Sequence, residues 1–107
     1  MKKNYDALFD GVLRFRTLEE AEESIHRIEA LYRGFEREGD RLGTARAMHE
    51  MEKGLRRARM IAKNKRVSGE KRREKAEAAL WFETWLTAPG AFWTWLSMRK
   101  RAREKPS

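Results

Sequence analysis

The chain has 107 residues, enough for one domain and too few for a second full one. It is 40% hydrophobic and 39% charged, and its four Trp, five Phe and two Tyr supply a modest core that argues against wholesale disorder. The net charge is +8, which points towards anionic partners, and the lack of cysteine rules out disulfides, thiolate metal sites and a cysteine nucleophile.

Residues 4–16 come first. Tyr5, Leu8, Phe9, Val12 and Leu13 have the i, i+3, i+4, i+7, i+8 spacing of a helix face. Gly11 weakens a helix there, and an extended 12–16 is the alternative. The opening Met1–Asp6 has two basic residues but no apolar run behind them, so no secretory signal is read and a cytoplasmic chain is expected.

A helix is clearest over 18–38. Thr17 and Glu20 have capping-box spacing, and four Glu crowd the first turns, where the helix dipole favours negative charge. Leu18, Ala21, Ile25, Ile28, Leu31, Tyr32 and Phe35 form its apolar stripe, and Gly39 suits the position after its end. Asp40 can cap a second helix reaching Asn64 or Lys65, with Leu42, Ala45, Met48, Met51, Leu55, Ala58 and Ala62 as the expected buried stripe. Gly54 falls on the edge of that stripe, where it lets another helix approach closely or marks a bend.

Asn64–Gly69 reads as a connection, with Ser68 capping a third helix over 69–87. Thr87-Ala88-Pro89-Gly90 then breaks the chain, with Thr87 as cap and Pro89 tolerated in the first turn of a shorter helix over 89–102. Residues 103–107 read as a frayed tail. Short connections between long amphipathic helices imply antiparallel neighbours. The expected fold is all-α: a small antiparallel bundle of three main helices and a shorter C-terminal one, with a short N-terminal helix as an option, in one domain.

The charge is unevenly placed. Residues 1–53 hold ten Lys and Arg against twelve Asp and Glu, a net of −2, whereas residues 54–107 hold fifteen against five, a net of +10. Arg56, Arg59, Lys63 and Arg66 share one arc flanking the apolar stripe of the second helix, and Lys71, Arg72, Arg73 and Lys75 follow on the third. Cations at a helix N-terminus oppose its dipole, and a bound phosphate would relieve the conflict. These eight residues are the candidate nucleic-acid-binding set. The competing reading is a solvated face neutralised within the helix, with Arg73 paired to Glu77 and Lys71 to Glu74. With no Asn or Gln on the third helix to read adenine edges, the expected contact is to the phosphate backbone.

All four Trp lie within fifteen residues, and from Leu80 to Met98 the one charged residue is Glu83. Trp81, Trp85, Phe92, Trp93 and Trp95 can be core packed across a helical corner, or a hot-spot surface for another protein or a second copy. A membrane reading is poor, because Glu83, Pro89, Gly90 and three Thr interrupt the run.

Catalytic material is thin. His26 and His49 both face away from their apolar stripes, His49-Glu50 lacks the second His of a zinc-protease string, and the Gly spacing matches no nucleotide loop. The expectation is a non-enzymatic protein with no metal, cofactor or small-molecule substrate. Its expected partner is a polyanion, nucleic acid first; the alternative is a protein-interaction or homo-oligomeric role for the Trp-rich corner.

Overall fold

The computed structural model describes residues 3–104, and no strand occurs among them. The helices are α1 Tyr5–Leu8, α2 Leu18–Glu38, α3 Arg41–Ala62, α4 Gly69–Thr87 and α5 Phe92–Glu104, with a 3₁₀ turn at Pro89–Ala91 between the last two. The all-α bundle expected from the sequence is the fold observed. Of the tail read as frayed, Arg103 and Glu104 still belong to α5, and 105–107 lie outside the described residues.

Local chemistry sets the helix ends. Thr17 Oγ1 accepts the Glu20 N–H at 3.1 Å, Asp40 accepts that of Gly43 at 3.0 Å, and Ser68 accepts that of Lys71 at 3.2 Å. Gly39 closes α2 with φ of 69°, a left-handed conformation that costs glycine little. Thr87 does not cap the following helix. It is the last residue of α4 and donates its hydroxyl to the Glu83 carbonyl at 2.9 Å, leaving Ala88 at the cap position with no side-chain bond.

α2, α3 and α4 form the centre, each antiparallel to its chain neighbour, and α5 returns along α2 and α4. The buried face of α2 is as expected: Ala21, Ile25, Ile28 and Phe35 are buried, with Leu18, Leu31 and Tyr32 half-buried. That of α3 is so in part. Met51 and Ala58 are buried and Met48, Leu55 and Ala62 half-buried as expected, but Leu42 is 73% exposed and Ala45 is exposed, and the buried seam is displaced to take in Gly43, Ala47, Glu50 and Gly54. Aromatic rings cause the displacement. A Cβ on Gly43 would lie 2.6 Å from Phe35 Cδ1, and one on Gly54 would lie 2.7 Å from Phe82 Cε1. Each glycine is the hollow into which a neighbouring helix sets a phenyl ring, so α3 turns its smallest residues inward.

Residues 4–16 are neither one helix nor one strand. α1 is a single turn capped by Asn4, and 9–13 then bend tightly, with Gly11 at φ of 69°. Phe9, Val12 and Leu13 are buried, and Phe15 lies 5.5 Å from Phe82, centroid to centroid. The segment is anchored at α1, where the Tyr5 hydroxyl donates to Asp40 at 2.7 Å and Arg46 donates to Asp6 at 2.6 Å. Asp40 thereby holds the α3 N-terminus and the Tyr5 hydroxyl together. Its carboxyl is pulled down to about 2, chiefly by the Gly43 N–H, then by Tyr5 and Lys3.

Candidate polyanion interface

The eight basic residues singled out from the sequence sit on the hairpin made by the end of α3, the connection after it and the start of α4. Arg56 and Lys63 are two and nine residues on from Gly54, which at 100° per residue places them on the side of α3 opposite its buried seam. Their expected position flanking the apolar stripe is therefore corrected along with the stripe. Arg56, Arg59, Lys63, Arg66, Lys71 and Arg73 are exposed, and Arg72 is half-buried with its Nε enclosed and unbonded.

Lys75 does not belong to this surface. It is 4% exposed and donates to the carbonyl oxygens of Phe15 at 3.1 Å and Arg16 at 3.4 Å, with the ammonium 4.4 Å from the Phe15 ring centroid. It ties the chain before α2 to α4 by satisfying carbonyls that lie ahead of the helix. Desolvation pushes its pKa down. A pattern read along one helix cannot find a partner some sixty residues away. Arg57 and Lys65, left outside the candidate set, are also exposed on the hairpin. The signal for them was the charge density of the segment rather than a single helical arc.

The ion pairs bear on how this charge is balanced. Neither Arg73–Glu77 nor Lys71–Glu74 forms. Among the described residues, Arg56, Arg57, Lys63, Lys65, Arg66, Lys71, Arg72 and Arg73 have no carboxylate within 4.0 Å, and of the cations in 56–73 Arg59 alone is paired, to Glu83. Glu77 faces the other way. It is buried, accepts the Trp81 indole N–H at 2.8 Å and Arg99 Nη2 at 2.8 Å, and lies 3.2 Å from Arg103. The Arg99 hydrogen bond, helped by Trp81 and Arg103, holds its carboxyl at about 2 against the opposing effect of burial. The start of α4 thus keeps its cations uncompensated. A Cβ on Gly69 would lie 3.4 Å from Arg73 Nη1 and 3.8 Å from Arg72 Nη2, so two guanidinium groups crowd the first turn, against the helix dipole.

The Trp-rich corner is largely interior. Trp81, Trp85 and Phe92 are buried, so of the two alternatives the sequence left open for them these three follow core packing, and the protein-facing surface is corrected. Trp93 and Trp95 are half-buried and already engaged. Trp93 stacks on His26 at 3.7 Å between centroids and donates to Glu29 at 2.7 Å; Trp95 packs 5.9 Å from Phe92, centroid to centroid, with Arg99 over its ring. Glu29 also accepts the Trp85 N–H at 2.7 Å. The hydrogen-bonding ends of three indoles are thus absorbed by two carboxylates, as buried indoles require. His26 and His49 are both exposed.

Among the described residues no helix is long and apolar enough to cross a membrane. Comparison of the chain with protein-family models, with curated proteins and with solved structures finds no match, so the reading of this surface rests on its residues and their surroundings.

Proposed function

We propose that this chain is a non-enzymatic binding protein that docks a polyanion, nucleic acid before others, on the outer face of the α3–α4 hairpin. The observation that carries the reading is the set of eight cations within 56–73 that have no carboxylate partner among the described residues. A face neutralised by its own helix needs no partner. This one concentrates positive potential on one hairpin and adds two guanidinium groups where the helix dipole disfavours them. Phosphate oxygens suit both the guanidinium groups and the helix N-terminus. Arg56, Arg59, Lys63, Arg66, Lys71, Arg72 and Arg73, joined by Arg57 and Lys65, form the proposed contact set. Arg59 contributes least because Glu83 already holds it. The lack of cysteine suits the reducing cytoplasm, the compartment in which we place this role.

The test is a salt titration of binding, read by fluorescence anisotropy with labelled nucleic acid. With six phosphates neutralised, affinity falls about 10³-fold between 50 and 200 mM salt. Replacing Arg56, Lys63, Arg66 and Arg73 by Glu abolishes binding while the far-ultraviolet helical signal and melting temperature stay near those of the parent, because these side chains are exposed and make no ion pair. Binding retained by that folded variant would overturn the assignment of the face. No binding by the parent at 50 mM salt would overturn the function.

A further inference from the structure

We infer that the polyanion is double-stranded nucleic acid, gripped by its phosphates without regard to base sequence; this rests on the polyanion reading above and narrows it. Three observations carry it.

The first is where the aromatic rings are. Proteins that hold single strands pair a cationic groove with exposed rings on which unstacked bases lie. All eleven aromatic residues of the chain fall among the described residues, and none is exposed. The half-buried ones are engaged: Tyr5 against Phe35, Phe15 against Phe82 and Lys75, Tyr32 against Trp85, Trp93 under His26, and Trp95 against Phe92. The large apolar side chain exposed on the basic face is Met60, which offers no ring. A single strand would meet charge but no stacking platform, whereas a duplex keeps its bases stacked internally and asks only for charge.

The second is the spacing of the cations. Arg56 and Lys63 lie two turns apart on one face of α3, about 10 Å along its axis, comparable with the ~12 Å width of a duplex major groove. Arg66, Lys71 and Arg73 extend the array through the connection onto α4. Cations carried at that interval on one helix face can engage phosphates on both sides of a groove. The duplex also presents a charge every ~1.7 Å of its axis, against ~3.4 Å for one strand, so such an array gains more from it than from a single strand.

The third is the lack of base-reading groups. The chain contains no Gln, and its two Asn are Asn4 and Asn64. Asn64 lies on the hairpin, but its Oδ1 accepts the Arg66 N–H at 3.0 Å, folding the amide into the turn. Among the described residues no hydrogen bond aims the guanidinium of Arg56, Arg66 or Arg73, so these groups supply charge without the held geometry that reading a guanine edge requires.

The experiment uses the full chain with four labelled probes of equal length: a DNA duplex, an RNA duplex of the same sequence, and one single strand of each. A second, unrelated duplex sequence is included. The expected result is that one or both duplexes bind about 10-fold or more tightly than their strands at 100 mM salt, and the two duplex sequences agree within about threefold, as phosphate-directed binding requires. The Arg56, Lys63, Arg66 and Arg73 to Glu variant loses all duplex binding. Strands bound as tightly as duplexes would overturn this inference and leave the polyanion function standing. Discrimination between the two duplex sequences by more than about 10-fold would overturn the sequence-blind part. Failure to bind any probe would remove the function and this inference together.

Discussion

On the outer face of the α3–α4 hairpin eight cations have no carboxylate partner among the described residues, whereas on the inner side, where α4 meets α2 and α5, two carboxylates, Glu29 and Glu77, hold three indoles and two guanidinium groups. Both regions involve α4, and Glu77 is only four residues from Arg73. The helix could have neutralised its own first turns. Instead Glu77 turns into the bundle, where burial raises the value of its bonds and its charge meets Arg99. The inner side of α4 uses ionic groups for cohesion and the outer side leaves them to solvent, a division that follows from which groups are buried rather than from how many there are.

The strongest way to break this comparison is to remove the cohesive side. Trp85 is fully buried, packs against Tyr32 and bonds to Glu29, so Trp85→Ala costs about 3–5 kcal/mol and leaves a chain of this size largely unfolded by urea titration. Nucleic-acid binding falls with it, because the hairpin loses its support.

Glu77 separates charge from packing. Its carboxyl titrates at about 2 in the folded chain against an ordinary 4.5, so the ionised form contributes stability that is complete above pH 4.5 and is lost as pH falls from there towards 2. That contribution is on the order of 3 kcal/mol. Glu77→Gln should therefore be destabilised by about that amount at pH 7, and the gap to the parent should close as the pH approaches 2. A gap independent of pH would assign the effect to packing and leave the Arg99 pair without energetic weight.

The glycine seam gives a smaller effect of informative sign. On an isolated helix Gly→Ala is favourable by about 1 kcal/mol. At Gly54 the added methyl would lie 2.7 Å from the buried Phe82 ring, so Gly54→Ala should instead destabilise the fold by about 1–2 kcal/mol in denaturant titration. An increase in stability would mean that the ring yields easily and that the seam is looser than described.

These cases also mark what could be read from the residues alone. α2 was legible because every local signal agreed: a capping Thr17, acidic first turns, a regular apolar stripe and Gly39 at its end. The α3 face was legible in part: Met51, Ala58 and the close approach at Gly54 follow the sequence, but the displacement of the seam onto Gly43 and Gly54 does not, because glycine carries no hydropathy and the rings that fill these hollows, Phe35 and Phe82, lie on other helices. α4 gave little periodic signal because its buried arc is wide and includes Lys75 and Glu77, which a polarity pattern assigns to the surface. The basic hairpin was visible as charge density. That Arg73 lacks its i+4 partner was not, since that depended on Glu77 pairing with α5. Lys75 looked like its neighbours because its acceptors are main-chain carbonyls, which every residue has and no sequence pattern marks.

Lys63 and Lys75 therefore make the finest test, since substitution by Met removes one charge in each case. Lys63 is exposed on the hairpin, and Lys63→Met should lower the magnitude of the salt slope of binding by about 1 with little change in stability. Lys75→Met leaves the Phe15 and Arg16 carbonyls without their donor, so it should lower stability by about 1–3 kcal/mol. Its ammonium reaches no phosphate, so the salt slope of the folded variant should stay that of the parent. Equal slopes for the two variants would mean that the ligand senses net charge alone and that the hairpin face has no special part in binding. A slope changed by Lys63→Met alone places the contact on the outer side of α3.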